Sequence, residues 1–122
     1  MANGSHSEGD STIAYGKYSH TEGGNSVTGY NGVLPASNNR ALPDNSEDAN
    51  GGYAHAEGAS TIAAGKAAHS EGCLTYAKSD YSHAEGYKTL ASGFQSHAEG
   101  NQTTSEGQQS HAEGAQTLAS GR

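Results

Sequence analysis

Every histidine in this 122-residue chain lies in one tetrapeptide, His-x-Glu-Gly, which occurs seven times. The histidines are His6, His20, His55, His69, His83, His97 and His111, and their partners are Glu8, Glu22, Glu57, Glu71, Glu85, Glu99 and Glu113. Five of the six intervals between successive histidines are 14 residues, and the other is 35. A fixed short period specifies a stack of like units, each contacting its neighbours, and argues against a globular domain built around one active site.

Aligning the copies gives a 14-residue unit, Ser-His-Ala-Glu-Gly-x-x-Thr-Leu-Ala-Ser-Gly-x-x, clearest over residues 82–95. Its halves echo each other seven residues apart, each a five-residue stretch ending in Gly or a near equivalent, then two variable residues. The simplest geometry is an all-β roll with two short strands per coil and two tight turns, the glycines supplying backbone freedom for the turns. Strand side chains alternate between faces. The odd positions of the first half, and positions eight, ten and twelve, are mostly Ser, Thr, Ala and Gly, so they share the inside of a thin coil. Seven coils about 4.8 Å apart make a rod of roughly 34 Å.

Composition alone argues for disorder. Only 31% of residues are hydrophobic, and the mean hydropathy is −0.81. Such a chain has little apolar area to offset its conformational entropy. The period argues the other way, because small residues at regular places let backbones pack closely. The formal charge of −7, without a Lys/Arg cluster, speaks against a nucleic-acid partner. Cys73 is alone, so neither an intrachain disulfide nor a CxxC motif is present. No long apolar run or signal-peptide pattern occurs, so no membrane contact is expected of this segment. The repeat starts at Ser5 and breaks off at Gly121-Arg122, which reads as a piece of a longer array.

Two rows of side chains face outward. The first-half row is His and Glu in every coil. The second pairs a mainly apolar position (Ile13, Val27, Ile62, Tyr76, Leu90, Thr104, Leu118) with a variable one (Tyr15, Gly29, Ala64, Lys78, Ser92, Glu106, Ser120). The variable position points to solvent, and the unvarying row to a fixed partner. A roll this poor in apolar area is not expected to be stable alone, so self-association through the His/Glu row is the natural remedy.

This wording resembles the head repeats of trimeric autotransporter adhesins, the YadA-like heads, in which a Ser-Val-Ala-Ile-Gly half alternates with an Ala-x-Ala-Ser-Gly half. Ser82-His83-Ala84-Glu85-Gly86 is similar to the first half and Thr89-Leu90-Ala91-Ser92-Gly93 to the second. Asn25-Ser26-Val27 is closer still, in the other half of its coil. Residues 5–32 and 54–122 carry the resemblance, and Ser-His-Ala-Glu-Gly repeats also look like segments of phage tail and appendage proteins. The resemblance implies a left-handed parallel β-roll solenoid, homotrimeric, with first-half strands facing the three-fold axis. This chain departs from the family where Val and Ile become His and Glu, so the fourteen His and Glu side chains would form polar rows on the trimer axis. Pairing imidazole donors with carboxylate acceptors offsets the cost of burying them.

Three readings of the rows follow. One is an interchain hydrogen-bond network. A second is a metal site on the axis, where three imidazoles could ligate Zn²⁺, Ni²⁺ or iron. The third, catalysis with His as base beside Ser or Thr, is weakened because Ala54 and Ala68 replace the leading Ser and no nucleophile elbow is present. No cofactor is implied: the glycines form neither a dinucleotide nor a Walker loop.

Residues 33–53 interrupt the array with both prolines and several Asn/Asp residues, and read as an inserted loop. Arg40, Asp44, Glu47 and Asp48 are its candidate partner contacts, with Leu34 and Leu42 pinning it. Tyr18, Tyr53 and Tyr81 recur at the last turn position with Phe94 beside it, an edge suited to stacking on a glycan or protein. Together these features lead to a non-enzymatic, extracellular head or shaft segment of an adhesin, whose partners are itself and a host surface protein or glycan. A virion appendage is the alternative, and a metal-binding module the third.

Overall fold

The computed structural model describes residues 4–14, 16–25, 27–28 and 52–121; Arg40, Asp44, Glu47 and Asp48 lie outside the described residues, as do Leu34 and Leu42. The strands of the first coils are β1 (His6–Asp10), β2 (Ile13–Ala14), β3 (His20–Gly24), β4 (Val27–Thr28), β5 (His55–Ala59), β6 (Ile62–Ala63) and β7 (His69–Cys73). Then come β8 (Tyr76–Ala77), β9 (His83–Tyr87), β10 (Leu90–Ala91), β11 (His97–Asn101), β12 (Thr104–Ser105), β13 (His111–Ala112) and β14 (Leu118–Ala119). Odd-numbered strands form one seven-stranded sheet and even-numbered strands the other. All pairings are parallel and join each strand to its copy one coil away, so the chain is an all-β solenoid with a 14-residue step. Among the described residues no helix is long and apolar enough to cross a membrane.

The long gap in the repeat leaves the stack unbroken. β3 pairs directly with β5, His20 opposite His55 and Glu22 opposite Glu57. Gly52 and Tyr53, which end the inserted stretch in the sequence reading, belong to a coil turn. Tyr53 donates its backbone N–H to Lys17 O at 2.8 Å and shares the positive φ of Tyr18 and Tyr81.

The interior is as thin as the small residues require. Ala56, Ala63, Ala77, Ala84, Ala91 and Ala98 are fully buried, and among the described residues Thr is the largest fully buried side chain. Several hydroxyls facing inward are paired across the coil: Ser70 Oγ lies 2.7 Å from Thr75 Oγ1, and Ser105 Oγ 2.6 Å from Ser110 Oγ, whereas Thr89 Oγ1 and Ser96 Oγ have no such partner. Buried hydroxyls need such partners, since each unpaired one costs about 1–3 kcal/mol.

The glycines meet the expectation in part: those of His-x-Glu-Gly do adopt a backbone that favours glycine, with φ of 102–114°. The corners are turned by non-glycine residues in the left-handed region, seven residues apart, such as Lys88 (φ 54°) and Gln95 (φ 57°). Gly86 is exposed and has φ 105°, and a Cβ placed there would lie 2.2 Å from Gly100 O in the next coil. Gly93 has an ordinary φ, yet its Cβ would lie 2.0 Å from Gly107 O. Glycine recurs at both places because successive coils touch backbone to backbone there. The inward assignment of the His-x-Glu-Gly glycine is corrected: alternation breaks at its positive φ.

Candidate functional site

The strand alternation that buries Ala84 and Ala98 turns His83, Glu85, His97 and Glu99 to the same outer face. Because the sheet pairs like with like, His stacks over His and Glu over Glu. From His20 to His111 the imidazoles are stacked with centroids 4.6–4.9 Å apart and planes within 4°. His6 breaks the stack, meeting His20 edge-on at 80°.

Each histidine faces the glutamate of its own rung. The Nε2–Oε2 distance is 3.0 Å for His6–Glu8, 3.4 Å for His83–Glu85 and 3.8 Å for His111–Glu113. Only the first of these is an aligned hydrogen bond. Nε2 of His20, His55, His69, His83 and His97 is shut off from solvent without an aligned partner, although the carboxylate oxygen stands 3.2–3.6 Å away. The rings themselves are about one-third exposed at the middle rungs, 34% for His83. The ladder is therefore a half-buried surface on the single chain.

Its electrostatics follow from the stacking. Burial lowers the pKa of His55, His83 and His97, their neighbouring histidines lower it further, and nearby glutamates oppose the shift. In the carboxylate row, Glu85 is pushed up to about 6, first by the hydrogen bond it shares with Glu99 and then by burial and by Glu71. Glu99 moves down, because the protonated Glu85 donates to it. Beside this row runs an open groove of about 660 Å³, lined by Glu57, Glu71, Glu85, Glu99 and Glu113 and floored by Gly72, Gly86, Gly100 and Gly114.

A metal ion held between rungs of one chain fits poorly. Groups such as His83, Glu85 and His97 bring potential ligand atoms within 4.8 Å of one another. Two imidazole nitrogens at about 2.0–2.1 Å from one Zn²⁺ are at most about 4.2 Å apart and must converge on it. Parallel rings stacked 4.6 Å apart point their lone pairs side by side, so such an ion would require rings to leave the stack. A Ser–His pair fares worse. Ser82 and Ser96 are buried inside the coil, whereas His83 and His97 lie outside it.

The apolar second-half row is partly buried at Ile13, Ile62, Tyr76 and Leu90, with Ala64 beneath three of these, and Leu118 stands exposed. At the variable position Lys78, Glu106 and Ser120 are exposed and Ser92 is half-buried, but Ala64 is buried, which corrects its assignment to solvent; Tyr15 and Gly29 lie outside the described residues. Tyr18, Tyr53, Tyr81 and Phe94 are exposed along one turn edge, Tyr18 stacking on Tyr53 at 5.3 Å and Tyr81 meeting Phe94 edge-on at 5.8 Å. The opposite edge carries exposed Leu74 and Tyr87, which the sequence reading missed. Their signal was present as large apolar residues at two turn positions that elsewhere hold small or polar ones, such as Asp10-Ser11, Ala59-Ser60 and Asn101-Gln102.

Compared with protein-family models, curated proteins and solved structures, the chain matches none of them.

Proposed function

We propose that this chain is a non-enzymatic segment of a homotrimeric surface fibre, the head or shaft of an adhesin, wound left-handed with its His/Glu sheet toward the three-fold axis. The observation that carries the reading is the ladder itself: a half-buried face repeated rung after rung on a roll in which, among the described residues, no fully buried side chain is larger than Thr. A core of Ala, Ser and Thr buries little apolar area per residue, so a rod of this kind gains by covering a face with copies of itself. Seven equivalent rungs suit register and length, whereas a catalyst needs one constellation. The fibre would act extracellularly, with the loop residues Arg40, Asp44, Glu47 and Asp48 and the tyrosine edge offering contacts to a host protein or glycan.

The Ser-His-Ala-Glu-Gly wording favours a second reading, a bacteriophage tail-fibre segment with the same seam. An axial metal site remains the third. It would draw one imidazole from each chain, since neighbouring rungs of one chain do not converge.

The test is mass in solution by light scattering at micromolar concentration. A species three times 12.4 kDa supports the reading, and a monomer overturns it.

A further inference from the structure

The strands of the His/Glu sheet cross the rod, so its two long edges differ in chemistry. One edge carries the histidine stack and, at the turn just before it, exposed Tyr18, Tyr53, Tyr81 and Phe94. The other carries the glutamates, the glycine-floored groove and, at the turn just after it, exposed Leu74 and Tyr87. Apart from Leu118 in the last coil, these six are all the exposed large apolar side chains among the described residues. Each edge that flanks the ladder thus carries exposed apolar side chains, set among polar ones such as Gln95 and Gln109 on the first and Lys88 and Gln102 on the second.

Resting on the trimer reading, we propose that the contact between copies is heterologous: the histidine stack and aromatic edge of one chain seat against the Glu–Gly groove and the Leu74/Tyr87 edge of the next. A three-fold axis parallel to the rod imposes this sense, because rotation brings the leading edge of each copy to the trailing edge of its neighbour. The chemistry agrees. Imidazole N–H groups meet a row of carboxylates, and the groove floor, having no side chains, admits a ring. Both rows have the same pitch, so matching one rung matches them all. The like-with-like alternative, Glu row on Glu row, would bring further carboxylates to a row already so close that Glu85 and Glu99 share a hydrogen bond. The apolar side chains of the two edges, meeting outside the polar rows, would shield them from water.

The test is disulfide mapping in a Cys73→Ser background. Tyr81 and Tyr87 lie at opposite edges of one coil, roughly 20 Å apart as extended chain, too far for a bridge within one molecule. Both side chains are exposed, so cysteine at either place leaves the interior untouched. The Tyr81→Cys/Tyr87→Cys double variant is expected to oxidise to a covalent trimer. Each single variant is expected to stay uncrosslinked, and a reassembled mixture of the two singles to yield crosslinked dimers. A trimeric mass with no crosslink in the double variant, or covalent crosslinking of either single variant by itself, would overturn the heterologous contact while leaving the trimer standing. A monomeric mass would overturn both.

Discussion

His83 and His97 stack with parallel rings, 0° between planes and 4.6 Å between centroids, one strand above the other. Neither ring was placed by contacts of its own. The parallel pairing of β9 with β11 sets Ala84 on Ala98 inside the coil, and the histidines follow outside. A stack this close is comfortable for neutral imidazoles and strained for charged ones, since each cation would sit beside the next at a separation where repulsion is strong.

Stability should therefore fall on acidification. The pKa of His55, His83 and His97 is held below 6.5 in the folded chain, first by burial, so protons prefer the unfolded chain. The stability linked to them is present above pH 6.5 and lost as pH falls through the depressed values. Glu85 acts oppositely: raised to about 6, it contributes stability present below 4.5 and lost as pH rises through about 6. Three histidines against one glutamate give a net loss on going from pH 7.5 to 5.5. Thermal melts at fixed protein concentration should show a lower Tm at pH 5.5, and an equal or higher Tm there would sink the idea.

Inside the coil, Thr89 offers a gain. Its Oγ1 is buried without a hydrogen-bond partner, whereas the equivalent Thr75 one coil away is paired to Ser70 at 2.7 Å. Ala84 stands in register with Ser70. Ala84→Ser should supply the missing partner and stabilise by about 0.5–1.5 kcal/mol. Ala84→Leu, too large for a space that holds at most Thr, should cost about 3 kcal/mol. Denaturant melts of the two variants should move in opposite directions; a destabilised Ala84→Ser would show that the hydroxyl pair is not what holds these coils.

The glycine ladder separates two effects. Gly86 combines φ 105° with a Cβ clash against Gly100 O, while Gly114 has φ 102° and only Thr117 Cγ2, at 3.8 Å, near its Cβ position. Gly114→Ala should cost about 1–2 kcal/mol from backbone strain alone. Gly86→Ala should cost more, because a backbone carbonyl cannot move aside without parting two coils. Equal losses in chemical denaturation would mean that the close approach of coils is not limiting.

The roll, its 14-residue step and its two outward rows were legible because a repeat compares seven environments within one chain. Ala84 and Thr89 read as interior from strand alternation alone. Gly86 did not: alternation assigns it inward, but its left-handed backbone breaks the pattern, and the reason for glycine lies one coil away at Gly100. The coupling of Glu85 to Glu99 was equally hidden, since it depends on how close the stack brings two carboxyls 14 residues apart. Leu74 and Tyr87 escaped because the turn positions vary from coil to coil and carry no repeating signal.

Replacing Glu85 tests whether the carboxylate row is overcrowded. With its pKa raised to about 6, chiefly through Glu99, Glu85 is disfavoured as an anion in the folded chain and carries that cost at pH 8. Glutamine keeps the shape and a donor for Glu99 while removing the charge. In the single chain, at a protein concentration low enough to dissociate any assembly, Glu85→Gln should therefore raise Tm at pH 8 and leave it nearly unchanged at pH 5, where the native carboxyl is mostly protonated. Glu99→Gln should not help at pH 8, because Glu99 is the partner whose ionised form is favoured. Melts of both variants at the two pH values decide it. A Glu85→Gln protein less stable than the parent at pH 8 under those dissociating conditions would mean that the carboxylate row of the single chain is not overcrowded.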